Sequence, residues 1–146
     1  RLLDLGVPPY LLTSTVLGVM AQRLVRVLCP ACKEQTVLED SAWELLVAPW
    51  KAQKPDTTYI AKGCLDCRMT GYMGRVGIYE IMVLNNEIRN LITATTDMDK
   101  LRETAYREGV KPLRISGAMK VAAGMTTVDE VMKVAPPMQD RRSRPR

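Results

Sequence analysis

Four cysteines carry the most specific chemistry in this sequence. Cys29-Pro30-Ala31-Cys32 and Cys64-Leu65-Asp66-Cys67 are two Cys-x-x-Cys pairs with 31 residues between them, and they use every cysteine of the chain. A two-residue spacer lets both thiolates of a pair reach one ion from a tight turn. Two such turns offer four sulfurs at the corners of a tetrahedron, about 2.3 Å from a Zn²⁺ ion. The expectation is therefore a structural zinc held by Cys29, Cys32, Cys64 and Cys67. A thioredoxin-like redox pair would leave the other pair idle and lacks a βαβ setting. Four thiolates also suit an iron–sulfur cluster, although nothing else in the sequence suggests electron transfer. Zinc catalysis is disfavoured, because four protein ligands leave no open position for water. Arg26, Lys33, Lys62 and Arg68 lie within three positions of a ligand. They are placed either to offset the net −2 of a zinc tetrathiolate or simply as ordinary surface charge.

The elements that must position these sulfurs come from a chain of 146 residues, 47% hydrophobic and 25% charged, with no His and no Phe. Zero His removes every histidine triad, His-containing zinc site and imidazole acid–base scheme. The core must be built from Leu, Ile, Val, Met and Ala, with Trp43, Trp50 and five Tyr as the large plates. Four Arg and one Asp in residues 140–146 account for +3 of the formal charge of +5, so the body is nearly neutral. The tail reads as a solvated terminus; a polybasic end also attracts phosphate without specificity. The chain begins Arg1-Leu2-Leu3-Asp4, without an initiator Met or a signal segment, and reads as a fragment. Its most apolar stretch, 11–28, is too polar for a bilayer span.

Apolar residues at 12, 16, 19, 20, 24, 27 and 28 follow the helical period, predicting one long helix from Leu11 to Leu28 entered through Pro8-Pro9. Gly18 weakens it and suggests close packing. Ser41-Ala42-Trp43-Glu44 has the form of a capping box, predicting a helix over 41–48 that Pro49 ends. Residues 51–56 read as a loop and Thr57–Ile60 as a short strand. Arg75 to Leu84 predicts a strand with Val76, Ile78, Glu80 and Met82 on one face. Helices follow at about 86–95, 98–108, 112–123 and 127–134, forming a small bundle. Gly109 and Gly124 suit left-handed C-terminal positions, and Thr127 to Glu130 repeats the capping box.

In their order, three stretches resemble the secretion and pilus-assembly ATPases of bacterial type II secretion and type IV pili. These are Gln22-Arg23-Leu24-Val25-Arg26-Val27-Leu28-Cys29-Pro30-Ala31-Cys32, Gly63-Cys64-Leu65-Asp66-Cys67, and Thr70-Gly71-Tyr72-Met73-Gly74-Arg75-Val76-Gly77-Ile78-Tyr79-Glu80. Weaker echoes run on to Gly124-Met125-Thr126-Thr127-Val128-Asp129-Glu130-Val131. The resemblance implies an α+β, mostly helical chain, a fragment from the C-terminal region of a RecA-like motor. It implies that 1–28 ends the RecA-like core, 29–74 is the tetracysteine zinc subdomain, 75–134 a strand plus helical subdomain, and 135–146 a disordered Arg-rich tail. It also implies a homo-hexameric parent that uses ATP and Mg²⁺, works in the cytoplasm at the inner-membrane platform, and contacts other secretion or pilus proteins.

None of the nine glycines is followed by Lys, so the Gly-x-x-x-x-Gly-Lys-Ser/Thr phosphate cradle is missing and no catalytic residue is assigned. This chain alone is expected not to hydrolyse ATP. Val76-Gly77-Ile78-Tyr79 and Leu113-Arg114-Ile115-Ser116-Gly117 lean toward the pilus branch. Arg23, Arg26 and Arg75 stand between structural ion pairing and phosphate contact across a subunit interface. Glu80 reads as the partner of an arginine such as Arg75, and Met119, Met125 and Met132 as core filler. The alternative class is a stand-alone zinc ribbon binding nucleic acid through the basic tail, although no specific nucleic acid is expected; an intact small ATPase is a poor third reading.

Overall fold

The computed structural model describes residues 1–136, so the Arg-rich tail lies outside the described residues. Its elements, in chain order, are α1 (Pro9–Thr15), β1 (Gly18–Leu28), β2 (Glu34–Thr36), α2 (Asp40–Val47), β3 (Thr58–Ile60), β4 (Tyr72–Val83), α3 (Asn86–Leu91), α4 (Met98–Arg107), α5 (Leu113–Ala122) and α6 (Val128–Val134). The described residues are thus α+β, with six helices and two two-stranded sheets.

The long helix expected over 11–28 is replaced by a two-turn helix and an eleven-residue strand. Pro8 caps the helix start and Pro9 opens it, as expected of residues that surrender no needed N–H. The hydroxyls of Thr13, Ser14 and Thr15 bond back to the carbonyls of Tyr10 and Leu11, competing with continuation of the helix. Val19, Val25 and Val27 then prefer the pleated surface of a strand. β1 pairs with β4. Leu84 N–H donates to Leu17 C=O at one end and Cys29 N–H to Gly71 C=O at the other, so the strands run antiparallel. A Cβ on Gly18 would stand 3.1 Å from Met82 C=O, which is the close packing its position suggested.

The chain divides into two compact units, residues 1–21 with 79–112 and residues 22–78 with 113 onward. The first holds α1, α3 and α4, packed on Leu84, Ile88, Leu101 and Ala105. Asn85 and Asp97 cap α3 and α4 by accepting backbone N–H groups of Ile88, and of Asp99 and Lys100. Arg89 donates to three carbonyls, Leu84 at 2.9 Å, Val16 at 3.0 Å, and Thr13, and so fixes the turn after α1.

The second unit packs α2, α5 and α6 around Val25, Trp43, Leu46, Val47, Ile78, Val121 and Val131. The four C-terminal helices are therefore not one bundle: α3 and α4 belong to the first unit, α5 and α6 to the second. α2 begins two residues earlier than a capping box with Ser41 at the N-cap requires. Glu39 occupies the N-cap without a side-chain bond, and Ser41 falls inside the first turn. The box at Thr127 forms by half: its hydroxyl accepts Glu130 N–H at 3.3 Å, while the Glu130 carboxylate turns elsewhere. α4 and α5 end at Gly109 (φ 97°) and Gly124 (φ 67°), both left-handed as expected. At α5 the pair Gly124 N–H to Val121 C=O and Met125 N–H to Lys120 C=O satisfies the last carbonyls.

On β4, Val76, Ile78, Glu80 and Met82 are buried or half-buried and alternate with exposed Arg75, Tyr79, Ile81 and Val83, as the alternation predicted. β2 carried no strand signal in the sequence. It pairs antiparallel with β3, Glu34 opposite Ile60, Gln35 opposite Tyr59 and Thr36 opposite Thr58. Among the described residues no helix is long and apolar enough to cross a membrane.

Candidate metal centre

Each cysteine pair sits in a hydrogen-bonded turn of the second unit. Cys29 follows the last residue of β1, and its carbonyl accepts the N–H groups of Cys32 (3.3 Å) and Lys33 (3.0 Å). In the other turn Met69 N–H reaches Cys64 C=O at 2.8 Å and Arg68 N–H reaches Leu65 C=O at 3.0 Å. Arg68 and Met69 both take left-handed φ values, 54° and 64°. Such values cost L-residues free energy and persist only where the surroundings impose them. Cys29 N–H to Gly71 C=O, at 2.9 Å, joins the two turns.

All four sulfurs lie within 4.8 Å of one another. Cys64 Sγ stands 3.7 Å from Cys67 Sγ and 3.9 Å from Cys29 Sγ, and Cys32 Sγ stands 3.8 Å from Cys67 Sγ. These are free thiols rather than disulfides. A tetrahedral ion with bonds of about 2.3 Å to sulfur has S···S edges of about 3.8 Å. The donor set and its spacing therefore fit a four-coordinate thiophilic metal.

The environment treats the sulfurs unequally. Burial pushes the Cys67 thiol up, but N–H donation from Cys64 and Gly71, each at 3.2 Å, overcomes it and brings the group down to about 6. Cys32 is pushed up to about 12 by burial, with the Gly63 N–H opposing. Charge-assisted N–H···S bonds of the kind at Cys67 are those that steady a metal thiolate.

The nearby cations are mostly engaged. Lys33 donates to Gly124 C=O at 2.8 Å and lies 4.4 Å over the Tyr59 ring, tying the first turn to the α5–α6 connection. Lys62 pairs with Glu34, which raises its pKa. Arg26 donates from Nε (2.9 Å) and Nη2 (2.6 Å) to both carboxylate oxygens of Glu130 and stacks 4.1 Å over Tyr72. Arg68 is exposed.

Sequence reasoning missed two buried charged residues of the second unit. Glu130 is 6% exposed, receives Lys133 as well as Arg26, and its carboxyl is held down to about 2 chiefly by the Arg26 hydrogen bonds. Only its helix-capping pattern was visible. Arg114, 8% exposed, donates to the C-terminal carbonyls of α2, Leu45 at 2.9 Å and Ala48 at 2.8 Å, a favourable place for a cation at a helix end. Its place in an otherwise apolar helix face was the available signal.

The other candidates scatter. Arg23 bonds its neighbour's Gln22 carbonyl at 2.8 Å, and Arg75 is exposed on β4. Glu80, expected beside Arg75, lines an apolar pocket of about 170 Å³ in the first unit, together with Arg102, Met82 and Leu101. Met132 packs against the second core as expected, whereas Met119 is 61% exposed.

A family model described as "Type II/IV secretion system protein" matches residues 1–133. The chain belongs to that family. It is 43% identical over 93% of its length to the type IV pilus assembly ATPase TfpB of Acinetobacter baylyi. It is 44% identical over 92% to the type II secretion system protein E of Pseudomonas aeruginosa, and 40% identical over 90% to the type IV pilus assembly ATPase PilB of Myxococcus xanthus. The chain spans 23%, 26% and 24% of these relatives, about a quarter of their length.

Proposed function

We propose that this chain is the C-terminal zinc-binding and coupling portion of an ATPase that powers type IV pilus assembly or type II secretion. Cys29, Cys32, Cys64 and Cys67 hold the zinc, which fastens the end of β1 to the turn that opens β4. The observation that carries this reading is the S···S spacing of 3.7–3.9 Å, the edge length of a zinc tetrathiolate. The relatives' names support the motor class, and the identities of about 40% run over nearly the whole chain.

Within this reading, residues 1–28 close a RecA-like core, 29–74 form the metal subdomain and 75–134 the strand and helical subdomain. ATP and Mg²⁺ are bound by parts of the parent outside this chain, since no phosphate cradle occurs in residues 1–146. The parent works as a homo-hexamer on the cytoplasmic side of the inner-membrane platform, and this chain relays its movement. The zinc-ribbon alternative draws no support from the relatives, and its basic tail lies outside the described residues.

The test is metal analysis of the purified chain under reducing conditions. One zinc per chain is expected, with loss of thermal stability on chelation. A fully folded chain containing no metal would overturn the reading.

A further inference from the structure

The connection between α5 and α6 is held by residues that flank the cysteine turns, and each of residues 124–127 takes one bond from that side. Lys33, next to Cys32, donates from Nζ to Gly124 C=O at 2.8 Å, and Leu28 N–H, next to Cys29, donates to Met125 C=O at 2.8 Å. The hydroxyl of the fully buried Thr126 donates to Arg26 C=O at 2.8 Å. The Thr127 hydroxyl shares a 3.2 Å bond with the hydroxyl of Tyr72, the residue after the Gly71 that joins the two turns. The Arg26–Glu130 fork carries this seam on into α6. Its partners stand 55 to 104 residues apart, so the seam is tertiary and exists only while both sides keep their places.

Gly124 permits the closest approach. A Cβ there would stand 2.8 Å from the Tyr59 ring, and at φ 67° the backbone is one that L side chains rarely adopt. Lys33 lies 4.4 Å over the same ring. Three segments thus meet at one point: Lys33 beside the first turn, Tyr59 on β3 in the stretch between the cysteine pairs, and Gly124 at the end of α5. α6 has seven residues, too few to hold a helix without such support.

Building on the metal reading above, we propose that this seam is a regulatory latch, through which occupancy of the cysteine site decides whether α6 is docked. With the four cysteines ligated, Arg26, Leu28, Lys33 and Tyr72 are held where they clamp residues 124–127; with the site empty the clamp loosens and α6 is released. Coupling between two sites is reciprocal, so whatever pulls the α5–α6 connection off the seam weakens metal binding by the same factor. A segment that supplies no ligand thereby sets the affinity of the centre.

The experiment measures the zinc affinity of the 146-residue chain by competition with a chromogenic chelator, and follows α6 by amide hydrogen exchange with and without zinc. Removing zinc should speed exchange of the amides of residues 131–134 at least about tenfold. Gly124→Ala, which drives a methyl into the Tyr59 ring, should weaken zinc binding at least about fivefold, the lower end of ordinary coupling between sites. Gly109→Ala is the control: it puts the same methyl on another left-handed helix end, φ 97°, where nothing lies within 4 Å, and should leave zinc affinity unchanged. Thr126→Val removes only the hydroxyl bond to Arg26 and should also weaken zinc binding at least about fivefold; it decides the matter if Gly124→Ala does not fold. Unchanged zinc affinity in either folded seam variant, equal weakening by Gly109→Ala, or α6 exchange indifferent to zinc overturns the proposal and leaves the metal reading intact. A chain that binds no zinc overturns the metal reading, and the proposal with it.

Discussion

The two units solve the same problem with different chemistry. The unit of residues 1–21 and 79–112 rests on a four-residue buried core, two side-chain helix caps and Arg89, which satisfies backbone carbonyls. Its ion pairs, Arg107–Glu87 at 3.7 Å and Arg102–Asp99 at 3.4 Å, are exposed and contribute little. The other unit adds to a larger core three fasteners that cross long stretches of sequence: the cysteine cluster, the Arg26–Glu130 fork and the Arg114 cap on α2. The segment between Cys32 and Cys64 explains the difference. It contains two three-residue strands and an eight-residue helix, and such short elements do not order themselves without tertiary support.

The largest separation between the units should therefore come from the metal. Binding energies at structural zinc sites of small peptides reach about 10–16 kcal/mol near pH 7. Chelation, or Cys67→Ser, should strip hydrogen-exchange protection from β2, β3 and the cysteine turns, while amides of α3 and α4 in the other unit keep theirs. Uniform loss of protection in both units would break the contrast.

Next comes the Arg26–Glu130 fork. Glu130→Ala leaves a guanidinium without its carboxylate, and the stability cost should be about 2–3 kcal/mol, kept modest because the Arg26 side chain is 45% exposed. The carboxyl is depressed from 4.5 to about 2 in the folded chain. A group held below its unfolded value stabilises the fold above that value, so this contribution is full above about pH 4.5 and fades as pH falls toward 2. Acid unfolding followed by circular dichroism should show that loss, and Glu130→Gln should flatten it in this window. An identical acid profile for the variant would show that the fork carries no stability.

What the sequence made legible tracks the distance over which each signal acts. The two cysteine turns were visible because each pair is set by a three-residue offset, and the repeated offset implies convergence. Gly109, Gly124 and the β4 face were visible for the same reason, as local turn chemistry and strict alternation. The fork was not, because Arg26 and Glu130 are 104 residues apart and Glu130 also fits a local capping pattern. The 11–28 segment failed differently: its apolar positions satisfy both a helical and a strand period, and pairing with β4 decided between them. β2 is three residues long, too short for any alternation to register.

Arg114 tests whether a cation can serve as a tether in place of a metal. Arg114→Lys keeps the charge near the end of α2 but loses the planar fork that reaches Leu45 and Ala48 together. A cost of about 1–2 kcal/mol in denaturant midpoint is expected, with exposure of Trp43 as the spectroscopic signature. A variant as stable as the parent would mean that the carbonyls find water instead.

The smallest effects separate a real cap from an apparent one. Thr127→Ala should cost about 1 kcal/mol, because its hydroxyl accepts the Glu130 N–H at the start of α6. Ser41→Ala, in the same Ser/Thr-x-x-Glu pattern, should cost under about 0.5 kcal/mol, since α2 starts at Asp40 and Ser41 makes no capping bond. Urea titrations of the two variants under matched zinc loading distinguish them. Equal costs would return the α2 N-cap to Ser41 and remove the two-residue shift that the structure gives this helix.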